Sequence, residues 1–116
     1  MGAEMVVDAK QLETALEYHS DGLLDEAEAI YQAILETTPD DAGTLHLSGI
    51  LKFQRGALSE AAWFFERACA SDPTAGKYLG NLATVYVALE RMQEAYETYE
   101  RAITLEPDNA DLHTGF

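Results

Sequence analysis

Residues 41–73 read DAGTLHLSGILKFQRGALSEAAWFFERACASDP. Leu45, Ser48, Gly49 and Lys52 recur at helical spacing. Gly56 interrupts them, Ala61, Phe65 and Ala68 resume the spacing, and Asp72-Pro73 ends the run. The stretch is predicted to be a helix, a turn and a second helix, because a helix must stop at or before the residue preceding proline. The same pattern is written on both sides of it. Pro39, Pro73 and Pro107 are 34 residues apart (73 − 39 and 107 − 73). Ala27, Ala61 and Ala95 each stand twelve residues before a proline, and Tyr31, Phe65 and Tyr99 each stand eight before one. A fixed 34-residue period of paired helices predicts an all-α solenoid.

Working outward, six helices are expected. The first runs from an Asp8 N-cap to about residue 19 and breaks at Asp21-Gly22. The second covers 24–37. The third covers 42–54, capped by Asp40 or Asp41, and the fourth starts at a Ser59 cap. The fifth runs from a Thr74 cap to about residue 89, and the sixth covers about 93–105. Asp108 begins a possible seventh-helix stub. Each helix is too short to be stable alone, and one hairpin cannot bury all its apolar stripes, so neighbours must stack. No low-complexity linker divides residues 1–116, which read as one domain with repeats at about 8–41, 42–75 and 76–109 and a partial cap at 110–116.

Composition narrows the function. A chain of 116 residues with a formal net charge of −14 is poorly suited to nucleic acid or anionic lipid, which need clustered Lys and Arg. No run approaches the ~20 apolar residues of a membrane-spanning helix. The first seven residues lack the pattern of a secretory leader, and Val6 stands where a myristoylation signal needs Ser or Thr. The single Cys69 cannot form an internal disulfide, and a reducing, cytoplasmic location is expected. The acids crowd the first repeat: residues 8–41 hold ten acids and one lysine, 42–75 three of each sign, and 76–109 six acids and three bases. A solvated outer surface is the favoured explanation.

No catalytic, cofactor or metal site is expected. His19, His46 and His113 lack a second ligand at metal spacing. Cys69 sits on an apolar helix face and reads as an inert thiol. The glycines form neither a dinucleotide nor a phosphate loop.

These residues resemble the tetratricopeptide repeat family. The second repeat carries Leu45, Gly49, Gly56, Ala61, Phe65, Ala68 and Pro73. The third carries Leu79, Leu82, Ala83, Tyr86, Ala95, Tyr99, Ala102 and Pro107. The first carries Ala15, Tyr18, Gly22, Ala27, Tyr31 and Pro39. Departures are Ile34 for an alanine, Gln11, Thr14, Ser48 and Lys52 at usually apolar sites, and Glu90 for the turn glycine. The resemblance implies a right-handed superhelical stack of three hairpins and a non-catalytic scaffold. The partner is expected to be a protein or peptide held in a concave groove on the first helix of each repeat. The matching positions are Leu12, Leu16 and His19; His46, Ile50 and Phe53; and Lys77, Thr84 and Val87. For Leu16 and Ile50 groove and inter-helix core are evenly balanced.

Some relatives clamp a C-terminal carboxylate with basic residues and asparagines. Here Leu12, Leu16 and Leu47 occupy three of those places and Asn81 replaces an arginine, so only Lys77 matches and a clamp is rejected. The wording also resembles repeats ahead of glycosyl- or sulfotransferase domains, so an adaptor segment of a larger enzyme is the alternative. Trp63, whose counterparts are Ala29 and Glu97, is expected to face outward. It is either a contact residue or a cover for a neighbouring helix end, the second being favoured. Finally, Tyr96, Tyr99 and Ile103 are expected to leave apolar surface at the C-terminal end, open to a homodimer.

Overall fold

A computed structural model describes residues 9–105. Asp8, Asp108 and the cap at 110–116 lie outside them. The elements are α1 (Ala9–Ser20), α2 (Leu24–Thr37), α3 (Ala42–Gln54), α4 (Leu58–Ser71), α5 (Gly76–Ala88) and α6 (Met92–Leu105). They pair as α1–α2, α3–α4 and α5–α6, and the hairpins stack through α2–α3 and α4–α5. Among the described residues the fold is an all-α solenoid.

All three hairpin turns use one backbone device. The Leu23 N–H donates to Tyr18 C=O (2.9 Å) while Gly22 donates to His19 (3.1 Å). Ala57 and Gly56 donate in the same way to Lys52 (2.9 Å) and Phe53 (3.0 Å), and Arg91 and Glu90 to Tyr86 (2.8 Å) and Val87 (2.9 Å). This is the Schellman cap, which needs a left-handed residue at its corner. Gly22 (φ 82°) and Gly56 (φ 81°) take that conformation freely; Glu90 is forced into it at φ 63°.

Two helix caps differ from expectation. Ser59 does not cap α4: the N-cap is Ala57, without a side-chain bond. The residue that closes the Schellman turn also opens the next helix, which leaves no place for a separate capping serine. Thr74 does not cap α5 either; its N–H and hydroxyl donate to Asp72 Oδ1 (3.3 and 2.9 Å), and Ala75 is the N-cap. Asp41 does cap α3, accepting from the Thr44 N–H at 3.0 Å.

The periodic alanines and aromatics form the core. Ala27, Ala61 and Ala95 are all fully buried, and Tyr31, Phe65 and Tyr99 are 1%, 2% and 6% exposed. Tyr31 clusters with Ala15 and Tyr99 with Ala83. Position 49, 34 residues after Ala15 and before Ala83, is glycine. A Cβ there would stand 2.6 Å from two carbons of the Phe65 ring. The middle hairpin is thus packed one methyl closer than its neighbours. Tyr99 does not leave apolar surface open as expected: it lies against Leu79, Ala83 and Ala102 within its own hairpin. Ile103 is half-buried, and only Tyr96, 61% exposed, is widely open. Its counterpart Ala62 is 3% exposed because α5 packs over it.

Lys52, out of place by sequence pattern, is explained by its partners. Its ammonium lies 2.7 Å from Glu28 and 3.1 Å from Glu60, and the Arg55 guanidinium reaches Asp25 at 2.6 Å. These pairs tie α3 to α2 and α4. Its hydrogen bond to Glu28 outweighs burial and raises the Lys52 pKa. In the third hairpin Tyr86 holds this place and donates to Glu66 at 2.6 Å, with Arg91 4.5 Å over its ring.

Candidate functional site

Eight of the nine positions expected to line the groove fall on one register; Lys77 does not, because the third-hairpin place in its row is Gly80. Leu12, His46 and Gly80 are 34 residues apart, as are Leu16, Ile50 and Thr84, and His19, Phe53 and Val87. Along each helix the spacing is four then three, which places all three on one face. Glycine at 80 leaves the first row without a third side chain. Leu16 is 42% and Phe53 38% exposed; Leu12, Ile50 and Val87 are half-buried. Lys77 and Thr84 are exposed. Thr84 returns its hydroxyl to the Gly80 carbonyl (3.0 Å), and the Lys77 ammonium lies 5.6 Å from the Tyr78 ring.

The two groove histidines are fasteners between hairpins. Burial pushes the Tyr31 hydroxyl up to about 12, so it stays protonated. It donates to His19 Nδ1 at 2.8 Å, and His19 Nε2 then donates to Gln54 Oε1 at 2.6 Å. His46 uses the opposite polarity: its Nε2 accepts from the Asn81 amide at 2.5 Å. Its ring lies 5.6 Å from Phe65 and 4.6 Å from Tyr78. Burial first, and the Lys77 charge second, lower its pKa to about 4. His46 is therefore neutral near pH 7, as accepting that bond requires. Each rung joins a first helix to the next first helix, across 35 residues (54 − 19 and 81 − 46). Sequence reasoning placed the histidines on the groove but not their partners Gln54 and Asn81. The available signal was that both pairs are separated by one repeat plus one residue.

Helix assignment also changes the charge picture. The first helices α1, α3 and α5 hold two acids (Glu13, Glu17) and three bases (Lys10, Lys52, Lys77). The second helices hold nine acids (Asp25, Glu26, Glu28, Glu36, Glu60, Glu66, Glu94, Glu97, Glu100) and two bases (Arg67, Arg101). Charge is sorted by layer as well as by repeat, so the first-helix layer is poor in charge. Trp63, on the second-helix layer, is 51% exposed. It meets Phe64 edge-on at 5.0 Å, and the Arg67 guanidinium lies 5.1 Å over its ring.

Among the described residues no cluster of three His, Cys, Asp or Glu side chains forms a metal site. No described helix is long and apolar enough to cross a membrane. Burial pushes the Cys69 thiol up to about 11, so it is protonated and a poor nucleophile near pH 7.

Stacked helix hairpins, with few charges on the first helices and most of the acids on the second, define a helical-repeat fold. The model of the tetratricopeptide repeat matches residues 76–109, and the chain belongs to that family. The human Cell division cycle protein 16 homolog is 29% identical over 97 residues, a match that spans 76% of this chain and 16% of that protein. An O-GlcNAc transferase mutant from Thermobaculum terrenum superposes with a TM-score of 0.85 at 30% identity, over 98% of this chain and 21% of the other. The first tetratricopeptide domain of Spaghetti (RPAP3), bound to an HSP90 peptide, superposes at 0.83 with 23% identity, over 89% of this chain and 82% of that one. The chain thus spans less than a fifth of its curated human relative.

Proposed function

We propose that the protein is a non-catalytic scaffold whose groove holds an apolar face of a protein or peptide partner. The observation that carries this reading is the apolar strip Leu16, Ile50 and Phe53, of which Leu16 and Phe53 are open, continued by half-buried Leu12 and Val87 on a layer with few charges. Large apolar side chains left in solvent on adjoining helices are what a helix or extended segment buries when it docks in a groove. His19 and His46 stiffen that floor, and Lys77 and Thr84 offer polar contacts at its third-hairpin end. The reading includes neither nucleic acid nor membrane among the partners, and a reducing, cytoplasmic setting suits the Cys69 thiol. To test it, peptides would be selected from a random library on the intact protein and then rebound to Leu16→Ala/Phe53→Ala. They should lose binding while the dichroism stays helical. Retained binding, or loss with Trp63→Ala instead, would move the site away from the groove.

A second reading, an adaptor segment of a glycosyl- or sulfotransferase, is supported by the likeness to the O-GlcNAc transferase across 98% of this chain. A transferase domain in the same reading frame would favour it. Homodimerisation through the C-terminal end is supported by Tyr96, which is open where Ala62 is covered. Sedimentation at micromolar concentration should show a dimer that Tyr96→Ser dissociates; a monomer would remove this part of the reading.

A further inference from the structure

The outer layer presents a second surface whose chemistry differs from that of the groove. The nine acids of α2, α4 and α6 face two arginines there. Arg67 is already tied to Asp40 at 3.1 Å. Near the centre of this layer, on the middle hairpin, stands Trp63, half in solvent. Glu60 and Glu66 lie three residues to either side of it on α4; Glu60 is held by the Lys52 ammonium at 3.1 Å, whereas Glu66 takes only the neutral Tyr86 hydroxyl at 2.6 Å and keeps its charge. The corresponding place on α6 is Glu97, with Glu100 one turn further. An indole on an acidic surface suits a cation, since the ring face and the carboxylates attract the same charge. The guanidinium of Arg67, 5.1 Å from the ring, already makes that contact from within the chain. Tryptophan is also among the residues most enriched at interface hot spots.

We propose that the outer face of α4 and α6, centred on Trp63 and flanked by Glu66, Glu97 and Glu100, docks an arginine- or lysine-rich segment of a protein partner. The groove is left free, so one chain can hold two partners at once. The proposal does not rest on the groove reading.

Trp63 is the one tryptophan of the sequence, so its emission reports the contact directly. The probe is an octa-arginine peptide, with octa-glutamate as control, followed by fluorescence and calorimetry at low and moderate salt. Octa-arginine should bind and perturb Trp63 emission, and octa-glutamate should do neither. Trp63→Ala, read by calorimetry, should weaken binding about tenfold, the ordinary loss at a hot-spot aromatic. Glu97→Gln/Glu100→Gln, which alters two exposed side chains and keeps the indole, should weaken binding several-fold and flatten its salt dependence. Leu16→Ala/Phe53→Ala should leave it unchanged. Equal affinity for the parent and Trp63→Ala would reduce the effect to unspecific attraction by a polyanion and overturn the proposal. Loss of binding in the folded groove variant would do the same.

Discussion

Gly49→Ala sets two magnitudes against each other. By sequence the change should help, because alanine in a helix interior is favoured over glycine by about 1 kcal/mol. The structure says otherwise. The added Cβ would sit 2.6 Å from two Phe65 ring carbons and 3.1 Å from a third, whereas carbon atoms in good contact are roughly 3.5–4.0 Å apart. The ring has no free side to retreat into, since it is 2% exposed and clustered with Ala61, Ala62, Leu82 and Val85. Forcing an extra methyl into such a core costs typically 1–3 kcal/mol. The expected balance is a net loss of about 1 kcal/mol, at most about 2. In a chain of this size 1 kcal/mol lowers Tm by roughly 4–8 °C, read by far-ultraviolet circular dichroism. Gly49→Ala/Phe65→Leu, which withdraws the ring, should recover part of the loss. A Tm for Gly49→Ala equal to or above the parent's would refute the packing argument, because propensity alone would then have decided.

Glu90→Gly should raise stability by roughly 0.5–1 kcal/mol, since it relieves a left-handed residue without losing a contact; an unchanged or lower Tm would contradict the strain assigned to φ 63°. Phe65→Ala should cost about 3–5 kcal/mol out of a total near 5–15, leaving little folded protein at body temperature, and a Tm within a few degrees of the parent's would show that Phe65 is not core. His46 predicts a pH dependence. Its pKa falls from 6.5 to about 4 on folding, so between those values the unfolded chain binds the proton and the folded chain does not. Its contribution is complete above pH 6.5 and is lost as pH falls toward 4. It amounts to about 1–2 kcal/mol after allowance for solvent screening. Against the parent, His46→Leu should show a flatter denaturant midpoint over that range, and equal slopes would place the ring in solvent.

The 34-residue period by itself determined the architecture. Helix hairpins of fixed length have one way to bury their stripes, which is to stack. The fully buried Ala27, Ala61 and Ala95 lie where the period put them. That the expected groove residues of α1 and α3 share a helix face was equally legible, because residues spaced by four and three on a helix share a side whatever that helix packs against. Contacts between hairpins were not legible, since no rule of spacing names a partner 30 or more residues away. Lys52 looked like a defect until Glu28 and Glu60 were found beside it. His19 and His46 read as groove contacts until their bonds to Gln54 and Asn81 showed them holding the floor together. The absent methyl at Gly49 gains its meaning only from the ring that fills its place. Charge counted along the chain gave an acidic first repeat. Only the assignment of each acid to a first or second helix separated a layer with few charges from an acidic one, because in a stack of hairpins alternate helices fall in different layers.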